Sequence, residues 1–253
     1  MIWERGSQKK PLTVVTLDFP DADTAEFIGR LGCDGIAVDL EHSDPTAGEL
    51  SGLARACAVA GVPLIGRIRC QERSVARCLD AGITILQLTQ VTGPADVDRV
   101  TDWAAFPPDG HRGIGRARAN AFGHHPGGYP AFVESVRSDG IALLVHIETV
   151  EAVTAASEIA SRPWVKALVV GAHDLAASAG HPGDPSHPDV RRLVEQATAC
   201  VTGGDKLLGL SASSRDEAVQ ATHRGAGLLL VSQARMLSRA LASVLTGTTE
   251  GTR

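Results

Sequence analysis

Four side chains in this sequence are of types that could together hold a cation and face a developing negative charge: His42, Arg67, Glu148 and Asp174. Glu148 closes the apolar run LLVHIE and Asp174 follows ALVVGAHD, so each carboxylate stands where a buried segment emerges. Two carboxylates so placed repel each other unless a cation or a proton lies between them. An all-oxygen pair suits Mg2+ or Mn2+, whereas zinc would want more His or Cys. For either carboxylate alone, a helix cap or a salt bridge is the competing use. Asp39 and Glu41 before His42, and Arg69 after Arg67, add further charge near the same segment ends. His173 is a further ligand candidate beside Asp174, although the alternation of the turn points it elsewhere.

Lysine usage narrows the chemistry. A Schiff-base mechanism needs a desolvated amine in the pocket. The four lysines are Lys9 and Lys10, ahead of the first apolar run, and Lys166 and Lys206, at the start of later ones. None sits where a strand ends, so a metal ion is left to withdraw electrons. No GxSxG elbow or GxxxxGK[ST] loop occurs. The glycines of GHRGIGRAR follow no strand and frame no phosphate turn.

The elements that must position these groups are short apolar runs alternating with Ala-rich helical segments, the pattern of βα units around a buried parallel sheet. The runs are Leu12–Leu17, Gly35–Leu40, Leu64–Ile68, Ile83–Leu88, Ala142–Ile147, Ala167–Val170, Leu207–Leu210 and Leu228–Val231. They predict a single (β/α)8 barrel. Asp21 and Asp23, then Asp44-Pro45-Thr46, open the first two helices, and Gly61, Gly82, Gly225 and Gly227 separate helices from following strands. In such barrels chemistry collects at the C-terminal strand ends, which is where Asp39 to His42, Arg67, Glu148, His173 and Asp174 fall. One connection is long: roughly 35 residues separate Phe106 from Ala142, and loops of that length are usually functional or mobile. Its Arg112, Arg116 and Arg118 either meet the far carboxylate of a longer substrate or stay solvated.

The chain of 253 residues, 43% hydrophobic, suits one domain over residues 1–253, with an N-terminal extension (1–11) and a frayed tail (247–253). A net charge of −5 with dispersed basic residues excludes the basic stripe that nucleic acid requires. Cys33, Cys57, Cys70, Cys78 and Cys200 form no metal spacing and fit reduced thiols. No leader-like or membrane-spanning apolar segment is present, so a cytoplasmic protein without membrane partners is expected.

These landmarks resemble the HpcH/HpaI-type class II pyruvate aldolases of the phosphoenolpyruvate/pyruvate barrel superfamily, from about Leu31 to Ala240. The resemblance rests on GCDGIAVDLEHS, the arginine of IGRIR, LDAG, FPPDGHRGIGRARA, HIETVEA and ALVVGAHDLAASAGHPGDPSHPDV. It implies that Glu148 and Asp174 hold a divalent cation (Mg2+, Mn2+ or Co2+) and that Arg67 contacts the keto oxygen of pyruvate. It further implies that the turn Gly171, Ala172, His173 and Asp174 binds substrate, the amides of His173 and Asp174 receiving its carboxylate. The resemblance makes His42 and Asp80 a proton-transfer pair. Asp80 precedes the fourth strand, at the opposite barrel end from His42, so the pair would form across a subunit interface. A homo-oligomer, a hexamer or dimer-based, is therefore implied, with the segment Gln233 to Leu245 available as a helix exchanged between subunits.

The reaction implied is the making or breaking of an aldol bond between a 2-oxo acid enolate and an aldehyde, both small molecules. The sequence departs from the family pattern at Thr89 in place of Pro, at Ala172 and His173 in GAHD, at His146 in place of Gln, and at Gln233 in place of a late Asp. Because several of these flank the pocket, a thioester lyase like the citrate-lyase β-subunit, a 2-oxo acid decarboxylase and a non-catalytic barrel subunit stand as alternatives.

Overall fold

Runs rich in Val, Ile and Leu with no polar face must be covered on both sides, and a closed parallel sheet wrapped in helices does this. In the computed structural model, which describes residues 10–202 and 204–247, eight parallel strands close a barrel in sequence order. The strands are β1 (Leu12–Leu17), β2 (Gly35–Asp39), β3 (Leu64–Arg69), β4 (Ile85–Thr89), β5 (Ala142–Ile147), β6 (Val165–Val170), β7 (Leu207–Ser211) and β8 (Ala226–Ser232). Between them run α1 (Ala22–Arg30), α2 (Ala47–Ala60), α3 (Glu72–Asp80), α4 (Pro94–Ala104), α5 (Gly128–Asp139), α6 (Val150–Thr154), α7 (Ala156–Ala160), α8 (Ala172–Ser178), α9 (Pro188–Val201) and α10 (Arg215–His223). α11 (Gln233–Gly247) follows the last strand. Apart from residues 10, 11 and 247, the expected extension and tail lie outside the described residues.

The helix starts follow local chemistry. Asp21 caps α1 by accepting the Thr24 N–H at 2.9 Å, and Thr46 and Glu49 form a reciprocal capping box on α2. Gly61 ends α2 in the left-handed region at φ 75°, which a side chain would disfavour.

Strand alternation sorts the barrel into two cores. Val14, Ala37, Ile65, Leu144, Val169 and Leu228 point inward and fill the barrel. Residues of the other parity, such as Ile36, Ile68, Leu143 and Leu168, pack against the helices. Carried up each strand, the inward parity reaches Thr16, Asp39, Arg67, Gln87, His146, Gly171, Ser211 and Ser232, so the topmost interior layer is polar or small where the layers below are apolar.

Three strand starts lie two residues from the sequence expectation, that of β8, at Ala226, among them. β4 begins at Ile85, because the Ile83 N–H is drawn to the Cys78 carbonyl at 3.0 Å to close α3. β6 begins two residues early, at Val165, where its register with β5 shifts between Leu143 and Leu144. The 106–141 connection carries a 3-10 turn (Arg118–Gly123) and α5 and lies under the N-terminal barrel end, against α2 and α3. Arg112 faces that end and Arg118 donates to the Ala54 carbonyl of α2. The reading in which Arg112, Arg116 and Arg118 meet a substrate in their own barrel mouth is therefore corrected: the loop follows α4 downward.

α11 keeps little of its surface covered. Met236, Leu237, Leu241, Val244 and Leu245 are all exposed. All five cysteines are free thiols. Among the described residues no helix is long and apolar enough to cross a membrane.

Candidate active site

At the C-terminal strand ends a cavity of about 310 Å³ opens into the barrel. β5 delivers Glu148 to its wall, and the turn from β6 into α8 delivers Gly171, Ala172, His173 and Asp174. β2 and β3 bring Asp39 and Arg67 side by side, since these residues are register partners.

Arg67 is clamped. Its Nη1 lies 2.5 Å from Asp39 Oδ2 and its Nη2 lies 2.8 Å from Glu41 Oε2. Asp39 also accepts the N–H groups of Glu41 and His42 at 2.9 and 3.1 Å, so one carboxylate sets both the turn and the guanidinium. Glu41, with its side chain only 2% exposed, takes Arg69 Nε on its other oxygen at 3.1 Å.

Glu148 is 1% exposed, and three donors hold it. The Gln90 N–H donates to Oε1 at 2.8 Å, the Gln90 side chain adds a longer contact at 3.3 Å, and His146 Nδ1 lies 3.0 Å from Oε2. Gln90 adopts a left-handed φ of 54°, uncommon outside glycine, to present that N–H. His146 Nε2 in turn meets Gln87 Nε2 at 2.6 Å. With Nδ1–H donated to the carboxylate, Nε2 accepts from the amide, which leaves Gln87 Oε1 buried without a hydrogen-bond partner.

Burial alone would push the Glu148 carboxyl up. The His146 hydrogen bond and charge, the Gln90 amide and Arg67 outweigh it and hold Glu148 below its ordinary value. Asp174 moves the other way: burial raises it, and the charge of Glu148 raises it further. One fixed, ionised carboxylate thus faces a second that its charge opposes, an arrangement a hard divalent cation relieves. The donor set is oxygen-rich and fits such an ion, with Glu148 secured from behind by the second layer that metal carboxylates usually have.

His42 does not line this cavity. Its ring is 67% exposed and sits over an adjoining cleft with Glu41, Arg73 and Arg77, with Nε2 3.5 Å from Glu41 Oε2. Asp80 is exposed at the end of α3, at the opposite barrel end, so one chain does not bring the two together. His173 does reach the cavity, with Nε2 3.4 Å from Arg235 Nη2.

Sequence reasoning missed Gln87, Arg235, Ser211, Ser213 and Ser232 as cavity residues and treated His146 only as a departure from pattern. The inward parity of β4, β7 and β8 is the signal that would have found most of them. A further group with ligand-like spacing, His181, His187 and Asp189, lies near the start of α9. There His187 Nδ1 accepts the Asp189 N–H at 3.2 Å and Arg192 pairs with Asp189, so these groups already serve as a helix cap.

Comparison with known proteins gives the same frame. The family model for HpcH/HpaI aldolase/citrate lyase matches residues 17–235. A hydroxypyruvate/pyruvate aldolase of Sagittula stellata is 36% identical over 180 residues, covering 70% of this chain and 68% of the relative. A 2-keto-3-deoxy-L-rhamnonate aldolase of Shigella boydii is 30% identical over 216 residues, covering 84% and 79%. The crystal structure of an HpcH/HpaI aldolase/citrate lyase family protein from Burkholderia cenocepacia superposes with a TM-score of 0.89 at 29% identity, covering 98% of both chains. A barrel with this polar mouth, matched over nearly its whole length, belongs to the HpcH/HpaI aldolase/citrate lyase family.

Proposed function

We propose that the protein is a metal-dependent pyruvate-type aldolase, joining or separating a small 2-oxo acid and an aldehyde at the C-terminal cavity. The observation that carries this reading is the opposition, in one cavity, of the paired carboxylates Glu148 and Asp174 to the clamped Arg67. Relatives named for pyruvate and hydroxypyruvate support a small 2-oxo acid as donor, and a cavity of about 310 Å³ is of matching size.

Glu148 and Asp174 would hold the cation. Mg2+, Mn2+ or Co2+ bound there would polarise the 2-oxo group and make its neighbouring carbon acidic. Arg67, fixed by Asp39 and Glu41, would face the charge that grows on the keto oxygen, and such preorganised charge lowers a barrier without reorganising during the reaction. The amides of His173 and Asp174, in the first turn of α8 where no intrahelical acceptor exists, would receive the substrate carboxylate. Gly171 and Ala172 keep that turn close to the substrate. His42 would exchange a proton with the hydroxyl formed from the aldehyde, a task that imidazole side chains perform in either direction. Asp80 would reach His42 from a second copy of the chain, which makes a homo-oligomer part of the reading. The exposed apolar face of α11 supports such assembly, either by exchange or by packing.

The deciding experiment is exchange of pyruvate methyl protons into D2O, followed by NMR on protein stripped of metal and resupplied with Mg2+, Mn2+ or Co2+. Exchange is expected only with metal, and Glu148→Ala is expected to abolish it while the protein stays folded. Exchange that survives in folded Glu148→Ala removes the metal assignment. No exchange with any ion moves the function toward a thioester lyase or a non-catalytic barrel.

A further inference from the structure

We propose that Gln87 is a positioning residue of the C-terminal site: its amide selects the tautomer of His146, and that tautomer fixes Glu148 in place, at a cost in stability. The proposal rests on the reading of Glu148 as a cation ligand and adds the device that keeps this ligand aimed.

An amide at this position answers no need of the fold. On β4 the inward parity passes from Ile85 to Gln87, and the chain buries Gln87 to 2% exposure. A leucine there would continue the apolar filling that Ile65, Leu144 and Val169 make in the layer below. The amide instead leaves Oε1 buried with no hydrogen-bond partner, and a stranded acceptor is destabilising. Other buried polar side chains at this barrel end are satisfied. Thr89 donates to the Ile68 carbonyl at 3.2 Å and Thr149 to the Val91 carbonyl at 2.9 Å. A half-satisfied buried amide breaks the rule that serves stability, and such breaks belong where function gains.

The gain lies on the neighbouring strand. Gln87 is the register partner of Leu144, so its side chain reaches diagonally to His146, the next inward residue of β5. There its Nε2 meets His146 Nε2 at 2.6 Å, while His146 Nδ1 lies 3.0 Å from Glu148 Oε2. A neutral imidazole carries one ring proton, and the hydrogen bond at one nitrogen decides which nitrogen holds it. The amide N–H can only donate, so it occupies the Nε2 lone pair and leaves the proton on Nδ1, directed at Glu148. With the proton on Nε2, Nδ1 would turn a lone pair toward a buried carboxylate. Gln90 grips only Oε1 of Glu148, so Oε2 depends on His146 for its direction. All three side chains are buried inside one barrel, so contact with another copy of the chain leaves this relay as it is.

The experiment reads the His146 ring by ring-nitrogen NMR in mildly alkaline buffer, Mn2+ affinity by isothermal titration, and the urea midpoint of the metal-free protein. The wild type is expected to carry its proton on Nδ1 with Nε2 bare. Gln87→Leu is expected to lose that single state and to bind Mn2+ roughly tenfold more weakly, as lost ligand support does. Its urea midpoint is expected to be no lower than that of the wild type. Gln87→Met, which also lacks the N–H donor, replaces it if the shape of leucine prevents folding. His146→Gln removes the tautomer choice, since an amide there has a fixed donor. Adding Gln87→Leu to His146→Gln is therefore expected to leave Mn2+ affinity unchanged. The proposal is overturned by a proton on Nε2 in the wild type, or by unchanged Mn2+ affinity in a folded Gln87 variant. An equal loss of affinity in both backgrounds, or a midpoint lowered in both Gln87 variants, would overturn it too, by returning the amide to packing. A wild type that binds no Mn2+ would remove the metal assignment instead, with the ring spectrum still deciding whether Gln87 sets His146.

Discussion

Glu148 takes its donors from two other places in the chain, Gln90 after β4 and His146 on its own strand, and Gly171 after β6 leaves room for it. A Cβ placed on Gly171 would stand 2.8 Å from Glu148 Oε2 and 2.9 Å from its Cβ. The carboxylate would have to move, because backbone and a 1% exposed side chain leave it nowhere to relax. Gly171→Ala is therefore expected to lower metal affinity on the order of 10- to 100-fold, as lost ligand support typically does, with unchanged far-UV circular dichroism. Isothermal titration with Mn2+ measures this, and wild-type affinity would mean that Glu148 is not a ligand. At this scale the sequence was informative about charge and poor about support. Arg67, Glu148 and Asp174 were visible because each ends an apolar run. Gln87 was open only to the inward parity of β4, and Arg235 was not visible, because a lone arginine at a helix start carries no local sign of what it will face.

The strands were legible because both faces of each are buried, which leaves an apolar run that few other elements produce. Their order in the barrel followed from the βα alternation. The 106–141 connection was not legible: its glycines and prolines announce a loop but not which barrel end it covers, and α4, running back along the sheet, decides that. The helical layer is also fastened by charge. Arg162, after α7, sets its Nε and Nη2 2.7 and 2.8 Å from the two oxygens of Asp98 on α4. The Arg162 hydrogen bond holds the Asp98 carboxyl below its ordinary value. A lowered carboxyl pKa means that the folded state favours the ionised form, so the contribution is present above the unfolded-state pKa and is lost as pH falls through the folded one. Both side chains are substantially exposed, which keeps the effect small. Asp98→Asn is thus expected to lower the urea midpoint slightly at neutral pH and to match the wild type in acid below the carboxylate range. A midpoint difference that persists in acid would assign the loss to packing and not to the ion pair.

The whole molecule, taken as one chain, leaves its reaction incomplete. On the proposed reading the cavity would hold metal and 2-oxo acid, but His42 stands outside it over the adjoining cleft, largely exposed, and Asp80 lies at the other end of the barrel. α11, meanwhile, exposes Met236, Leu237, Leu241, Val244 and Leu245, a row that a monomer would leave in water. If assembly places the N-terminal face of one barrel over the mouth of another, both gaps close at once. This predicts complementation. If the chain assembles as proposed, His42→Ala and Asp80→Ala should each be slow in aldol cleavage while still exchanging pyruvate protons, since in the proposed mechanism the pair would act on the aldehyde-derived hydroxyl and not on the methyl group. When the two variants are unfolded together and refolded as mixed oligomers, some sites regain an intact His42 from one chain and an intact Asp80 from its neighbour. Cleavage activity should then rise above that of either variant refolded alone. Activity in the mixture equal to the mean of the two separate variants would show that Asp80 acts within its own chain or has no part in proton transfer. The interface would then be a matter of stability, and His42 would have to work with water or with Glu41 beside it.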